Sequence, residues 1–362
     1  MKPQKDRVEE VEILVVGGGA AGLSAAAEAA SAGARVLVLE SDLHLGGQLV
    51  KQTHKFFGSK DEYAGTRGYL IAGNLLEEMA VYEDRVRTMT NASAMGYYPE
   101  DGVVTAMVGE EEYLKIKPRR IVMATGAQER LIAFPNNDLP GVYGAGAVQT
   151  LMNVYGVSPG DRVLMVGAGN IGLIVSYQLM QAGVRVAAVL EAMPNVGGYW
   201  VHAAKIRRLG VPILLQHTVR AAFGTDRVEG ALVESLKTGE RYKFDCDIIC
   251  LAVGLTPTAE ILWQAGCEML YVPELCGYVP KRDARQRTTN EDVWVAGDAA
   301  GIEEASAAMI EGRVAGLAAA ASLGYAVDEN RFDVFAERLG SLRRGETAAK
   351  IRAGLAKTVL AS

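Results

Sequence analysis

Two stretches of this chain, about 150 positions apart, follow one pattern. EILVVGGGAAGLSAAAEAASAGARVLVLE spans residues 12 to 40, and RVLMVGAGNIGLIVSYQLMQAGVRVAAVLE spans residues 162 to 191. Each runs from a short apolar strand into a glycine turn and an Ala-rich or apolar helix. AGxRV follows, then a second apolar strand ending in Glu. Strands that are apolar throughout belong in a parallel sheet covered on both faces. Strand, turn, helix and strand in that order make a βαβ unit. The repeat predicts an α/β fold with two Rossmann-like dinucleotide-binding domains, and 362 residues are too many for one ordinary core.

The glycines divide the work. Gly17 and Gly167 allow the tight turn, Gly19 and Gly169 let backbone approach a pyrophosphate, and Gly22 and Gly172 let the helix pack on its strand. The helix starts, Ala20 and Ala21 in one copy and Asn170 and Ile171 in the other, offer N–H groups and partial positive charge to the phosphates. Glu40 and Glu191 end their second strands, where a carboxylate accepts from ribose hydroxyls. A plain helix-packing turn explains the glycines but not the two acids. Glu191 repels a 2′-phosphate and LEAMPNVGG places no Arg soon after it, which favours NAD over NADP. Arg207 and Arg208 lie further along and keep that choice open.

Composition narrows the class. Hydrophobic residues at 49% and charged residues at 22% describe a globular protein, and the net charge of -6 lacks the basic footprint of nucleic-acid binding. No run of about 18 apolar residues predicts a membrane span. The charged start MKPQKDRVEE lacks the apolar core of a signal peptide, and four scattered cysteines suit a reducing, cytoplasmic setting.

Further segments carry a resemblance. MATGAQER (123 to 130), LAVGLTPT (251 to 258) and TTNEDVWVAGDAAG (288 to 301) resemble motifs of the two-dinucleotide-binding-domain flavoproteins, the superfamily of thioredoxin reductase and the pyridine nucleotide-disulfide oxidoreductases. The resemblance implies FAD beside NAD(H). It assigns the ATG segment, Ala124, Thr125 and Gly126, to the exit from the first domain, and Gly297 and Asp298 to the flavin ribityl chain. The Ala-rich helix beginning near Ala305 would point its N-terminus at the flavin edge. GGQL resembles the loop that runs along the flavin, so Gly47 and Gln48 become cofactor candidates. The implied architecture is nested: an FAD domain of 1 to 125 and 256 to 330, an inserted NAD(P) domain of 140 to 255, and a helical tail of 331 to 362. ATGAQERLIAFPNNDLPGVYGAGAVQ (124 to 149) narrows the resemblance to the alpha-type subunits of opine, proline, hydroxyproline and sarcosine dehydrogenases and hydrogen cyanide synthase. The cysteine-rich iron–sulfur extension that several of these carry is not in this sequence, so no cluster is expected.

Disulfide-reducing relatives keep a cysteine pair beside the flavin. Here the only near pair is Cys246 and Cys250 in FDCDIICLAVG, which reads as a buried strand. Residues four apart on a strand share a face at roughly 13 Å, whereas a disulfide needs Cα atoms within about 7 Å. The pair is expected to be core thiols, no metal site is expected, and the electron partner moves outside the chain. Lys51 and His54 are candidates for a cation and a proton carrier near the flavin, against a merely solvated reading. Tyr199 or Trp200 could flank the nicotinamide, but both are expected to pack. The basic tail, with Arg343, Arg344, Lys350, Arg352 and Lys357, faces either an acidic partner or its own domain.

The expected activity is hydride transfer between NAD(H) and FAD, in the flavoprotein subunit of an oligomeric, multi-subunit amine or imino-acid dehydrogenase. A second subunit or electron carrier and a small-molecule substrate are the implied partners. A stand-alone NADH-dependent reductase of a carrier or quinone, and a non-catalytic nucleotide-binding scaffold, are the competing readings.

Overall fold

The computed structural model describes residues 8–346 and 348–360. The expectation about a leader rests largely on residues 1–7, which lie outside the described residues. The chain divides into two compact units. One holds the residues up to Val50, Lys55–Gln128 and the chain from Thr256 on; the other holds Lys51–His54 and Glu129–Leu255.

Unit one is built on a sheet of β1 (Val8–Val16), β2 (Val36–Leu39), β3 (Val86–Met89), β4 (Ala92–Tyr98), β5 (Val103–Val108) and β6 (Glu112–Met123), in the order β3-β2-β1-β6-β5-β4. Val293–Val295 adds a parallel partner to β6. The strands from β3 to β6 run parallel, while β4 and β5 return antiparallel. β1 pairs with β2 on one side and β6 on the other, Val16 lying opposite both Leu39 and Met123. The strand order reverses there, and a reversal leaves a crevice beyond the strand ends.

Helix α1 (Ala20–Ser31) buries ten of its twelve residues. Its one acid, Glu28, is buried with the rest and paired with Arg313 and Arg331, so the helix has to be enclosed on nearly every side. The helix Ala305–Ser322 encloses it from one side. A Cβ at Gly312 or Gly316 would overlap the carbonyl oxygen of Ala21 or Ala25, so the two backbones touch and only glycine fits.

Unit two repeats the plan. Ile213–Leu215, Arg185–Glu191, Arg162–Val166, Ile248–Leu251 and Val142–Gly144 lie side by side in that order, all parallel. A three-stranded antiparallel sheet, His217–Phe223, Gly230–Ser235 and Arg241–Phe244, covers one face.

Cys246 and Cys250 do not share a strand face. The strand begins at Ile248, and Cys246 lies in the irregular link before it, just ahead of a bend at Asp247. The Asp247 carboxylate accepts the Asp161 and Arg162 N–H groups at 2.8 and 2.7 Å, which bends the chain and shifts the alternation. Cys250 packs with Ile248, Val163 and Met165, whereas Cys246 packs with Ile249, Leu251 and Val228 across the sheet. All four cysteines are free thiols. No helix among the described residues is long and apolar enough to cross a membrane.

Candidate nucleotide sites

In unit one, β1 ends at Val16 and Gly17 turns the chain at φ 105°. The Gly17 N–H donates to the Leu39 carbonyl at 2.8 Å. A Cβ on Gly17 would overlap the carbonyl oxygen of Ala124, and one on Gly22 would overlap that of Gly17. Those two glycines are required by the fold itself. Gly19 differs, because its Cβ would meet only the Gly47 Cα, at 3.8 Å. Gly19 is the N-cap of α1 and supplies no side-chain cap, and the first turn has no acid. The N–H groups of Ala20 and Ala21 therefore have no capping side chain, and the helix's first turn brings no acid of its own, the arrangement that accepts a phosphate.

Glu40 locks the loop. Its carboxylate is buried and accepts the N–H groups of Gly18 and Asp42, each at 2.7 Å, and the Ser41 hydroxyl at 3.1 Å. A carboxylate has about four acceptor positions, so one stays open to a ligand hydroxyl. The Gly46 N–H donates to the Gly18 carbonyl at 2.8 Å, and a Cβ on Gly47 would fall 2.8 Å from the Gly19 Cα. Gly46 and Gly47 thus lie backbone against backbone on the glycine loop, while Gln48 is exposed.

The other strand ends converge here. The Thr125 hydroxyl donates to the Thr258 carbonyl at 2.6 Å, and Gly126, at φ 70°, accepts the Thr258 N–H at 3.0 Å. Gly297, also at φ 70°, places its Cβ position 2.9 Å from the Ala21 Cβ. Burial pushes the carboxyl of Asp298 up to about 6. The Glu303 N–H donates to it at 3.3 Å, and Ala305 opens the helix that crosses α1.

Unit two builds the same cradle from different side chains. Gly167 turns at φ 108°, its Cβ position overlapping the Ala252 carbonyl oxygen, and that of Gly172 overlaps the Gly167 carbonyl oxygen. A Cβ on Gly169 would meet nothing within 4 Å. Gly169 is the uncapped start of the helix Asn170–Gln181. Glu191 accepts the N–H groups of Ala168 at 2.9 Å and Met193 at 3.0 Å, as Glu40 does at the matching positions. Asn170 accepts the Tyr199 N–H at 2.8 Å, and Ile171 is partly exposed.

The repeat runs further than sequence reading took it. Gly198 donates its N–H to the Ala168 carbonyl at 2.9 Å, as Gly46 does to Gly18, and a Cβ there would lie 2.9 Å from the Asn170 nitrogen. Extending the comparison past Glu40 and Glu191 aligns LGG at 45 to 47 with VGG at 196 to 198, and in space the N–H contact moves one residue along, from the first glycine of the pair in unit one to the second in unit two. Trp200 follows on the first turn of the helix Trp200–Arg208 and is 80% exposed, contrary to the expectation that it packs. Arg207 and Arg208 lie exposed in the last turn of that helix.

Lys51 and His54 belong to unit two. Lys51 donates to the Thr150 hydroxyl at 3.1 Å, and its carbonyl accepts from Asn153 at 2.7 Å. Gln52 pairs with Gln149, and Thr53 accepts from Gln178 at 2.8 Å, so the segment is strapped down by polar groups. Burial, with His202 nearby, pulls the imidazole of His54 down to about 4. It is neutral at pH 7, which suits a hydrogen-bonding group better than a proton donor.

Burial pushes the Cys246 thiol up to about 12 and raises Cys250 and Cys267 as well, so these three are poor nucleophiles. Among the described residues, no group of three or more His, Cys, Asp or Glu side chains is arranged to hold a metal ion.

The model of the pyridine nucleotide-disulphide oxidoreductase family matches residues 11–312. The chain belongs to this family. Pyridine nucleotide-disulphide oxidoreductases are FAD-dependent, and among their members the chain is similar to subunits of larger enzymes. It is 29% identical over 333 residues to the A component of opine oxidase from Agrobacterium tumefaciens (strain Ach5), covering 86% of this chain and 66% of that one. It is 28% identical to the alpha subunit of sarcosine oxidase from Corynebacterium sp. (strain P-1), covering 87% of this chain but 33% of that one. The HcnB subunit of hydrogen cyanide synthase from Pseudomonas protegens is 27% identical over 357 residues, with 91% and 75% covered. The chain thus spans about two thirds of the opine oxidase relative and one third of the sarcosine oxidase relative. Among solved structures, L-proline dehydrogenase from P. horikoshii superposes with a TM-score of 0.74 at 22% identity, over 93% of this chain and 60% of that one. T. acidophilum thioredoxin reductase does so with 0.73 at 21%, over 87% and 99%. Those identities establish a shared fold.

Proposed function

We propose that this chain is the flavoprotein subunit of a multi-subunit amine or imino-acid dehydrogenase, with FAD in unit one and NAD(H) in unit two. One observation carries the reading: the same cradle is built twice. In each copy a glycine with open space at its Cβ position starts an uncapped helix, and a strand-end glutamate holds the loop. Duplicated glycines with no ligand to serve would not need that open space.

Bound FAD supplies two-electron acceptance and release. Glu40 would take a ribose hydroxyl, Gly19 and the start of α1 the pyrophosphate, and Asp298 the ribityl chain. In unit two, Gly169 and the Asn170 helix would take a pyrophosphate and Glu191 a ribose. A carboxylate there disfavours a 2′-phosphate, which supports NAD(H) over NADP(H). The buried thiols leave no dithiol relay, so electrons would pass to a partner subunit or carrier. The kinship to opine and sarcosine oxidase subunits supports an amine or imino-acid substrate and a partner chain.

Glu191→Ala tests the second site. It should raise the NADH concentration that half-saturates flavin reduction, roughly tenfold or more, and leave the limiting rate within about twofold, because that contact is equal in ground and transition states. An unchanged half-saturation would contradict the assignment of Glu191.

A further inference from the structure

We propose that Arg343 is a positioning residue of the flavin site: through Glu303 and Glu311 it fixes the Gly297–Ala305 loop and balances the negative charge behind it. This rests on the reading that unit one takes FAD. Arg343 lies beyond the family match, just after the helix Asn330–Leu342, so the tail carries it.

The loop is held at each step. The Gly297 N–H donates to Glu311 at 3.1 Å, and the Ala300 carbonyl accepts from Arg282 at 2.5 Å. The Asp298 carboxylate accepts the Glu303 N–H at 3.3 Å. Arg343 then grips both acids, donating to the two Glu303 oxygens at 3.0 and 2.7 Å and to Glu311 at 2.7 Å. Arg282 donates to Glu311 at 3.1 Å. Glu311 and Arg282 are buried, so solvent screens this network weakly. Burial draws Arg343 down, but the carboxylates of Glu311 and Glu303 outweigh it and hold the guanidinium above its usual range.

Glu303 and Glu311 are matched by two guanidiniums, while the third carboxyl of the cluster, Asp298, is pushed up to about 6 by burial and by the charges of Glu311 and Glu303. Without Arg343, Glu303 and Glu311 face Arg282 alone, beside Asp298 and a loop that touches the start of α1 at Ala21. An unbalanced carboxylate there would oppose the electron density gained on flavin reduction. Loss of a purely structural ion pair would lower stability and leave the flavin potential unchanged.

The test is the midpoint potential of the flavin in the full, FAD-loaded chain, by equilibration with a redox dye. Arg343→Gln should shift it to more negative values, Glu303→Gln to more positive values, and Arg343→Lys should stay near the unsubstituted protein. Shifts of opposite sign are the expected result. Unchanged potentials, or shifts in one direction for both Gln variants, would overturn the proposal. If Arg343→Gln does not fold, Glu303→Gln decides alone, and no positive shift would sink it. An unsubstituted chain that takes up no FAD overturns the flavin reading itself, and the proposal with it.

Discussion

A Cβ added at Gly17 would run into the Ala124 carbonyl, whereas one added at Gly19 has open space on all sides but that of Gly47. Two neighbouring glycines therefore answer to different demands. Gly17→Ala has to relieve an overlap at φ 105° and should cost at least about 1–3 kcal/mol. Gly19 sits at φ −83°, which alanine adopts freely, so Gly19→Ala should leave the melting temperature of the flavin-free protein nearly unchanged. It should weaken FAD binding roughly tenfold or more, since a methyl group would stand where the pyrophosphate approaches. Melting curves and a flavin titration on both variants check this. Equal loss of melting temperature would mean that Gly19 serves only the fold. The glycines and the acids Glu40 and Glu191 are legible in sequence because their roles depend on short, fixed spacings. Arg343 is not. Its partners Glu303 and Glu311 are about 30 to 40 positions away, and an ion pair at that separation leaves no local pattern.

At the scale of elements, the alanine-rich α1 and the Gly312-to-Gly316 stripe of the helix Ala305–Ser322 are one device. Each makes room for the other's backbone, and the crossing brings Gly297 against Ala21 at the head of the cradle. Gly316→Val should destabilise unit one by roughly 1–3 kcal/mol or more through overpacking. Gly340, on the helix Asn330–Leu342, has nothing within 4 Å of its Cβ position, so Gly340→Ala should be neutral or stabilising by roughly 0.5–1 kcal/mol. Chemical denaturation of both variants reads the contrast, and similar losses would mean that the crossing is not tight. The βαβ units are readable because both copies keep period and punctuation together. Two features escaped. The Gly197–Gly198 segment sits in NVGGYW, whose other residues differ from those of HLGGQL, so the repeat looks shorter in sequence than it is in space. The phase of Cys246 depends on the Asp247 carboxylate reaching back to residues 161 and 162, a long-range bond that strand periodicity cannot register.

At the scale of the whole molecule, the tail turns much of its charge onto its own unit and three of the four thiols are buried. The basic tail read from sequence as a possible partner surface spends much of its charge on its own unit: Arg343 on Glu303 and Glu311, Lys357 on Glu274, and Arg352 on the carbonyls of Arg343 and Gly345. Arg344 and Lys350 stay exposed. The thiols of Cys246, Cys250 and Cys267 are buried and held in the neutral form. In the proposed reaction, hydride passes between the nucleotides that the two matched cradles would hold. The direct measurement is anaerobic titration of the purified, FAD-loaded chain with NADH, followed by flavin absorbance near 450 nm. Stoichiometric bleaching is the predicted result. A flavin that stays oxidised with NADH bound would contradict hydride transfer and leave unit two as a nucleotide site without a part in the reaction.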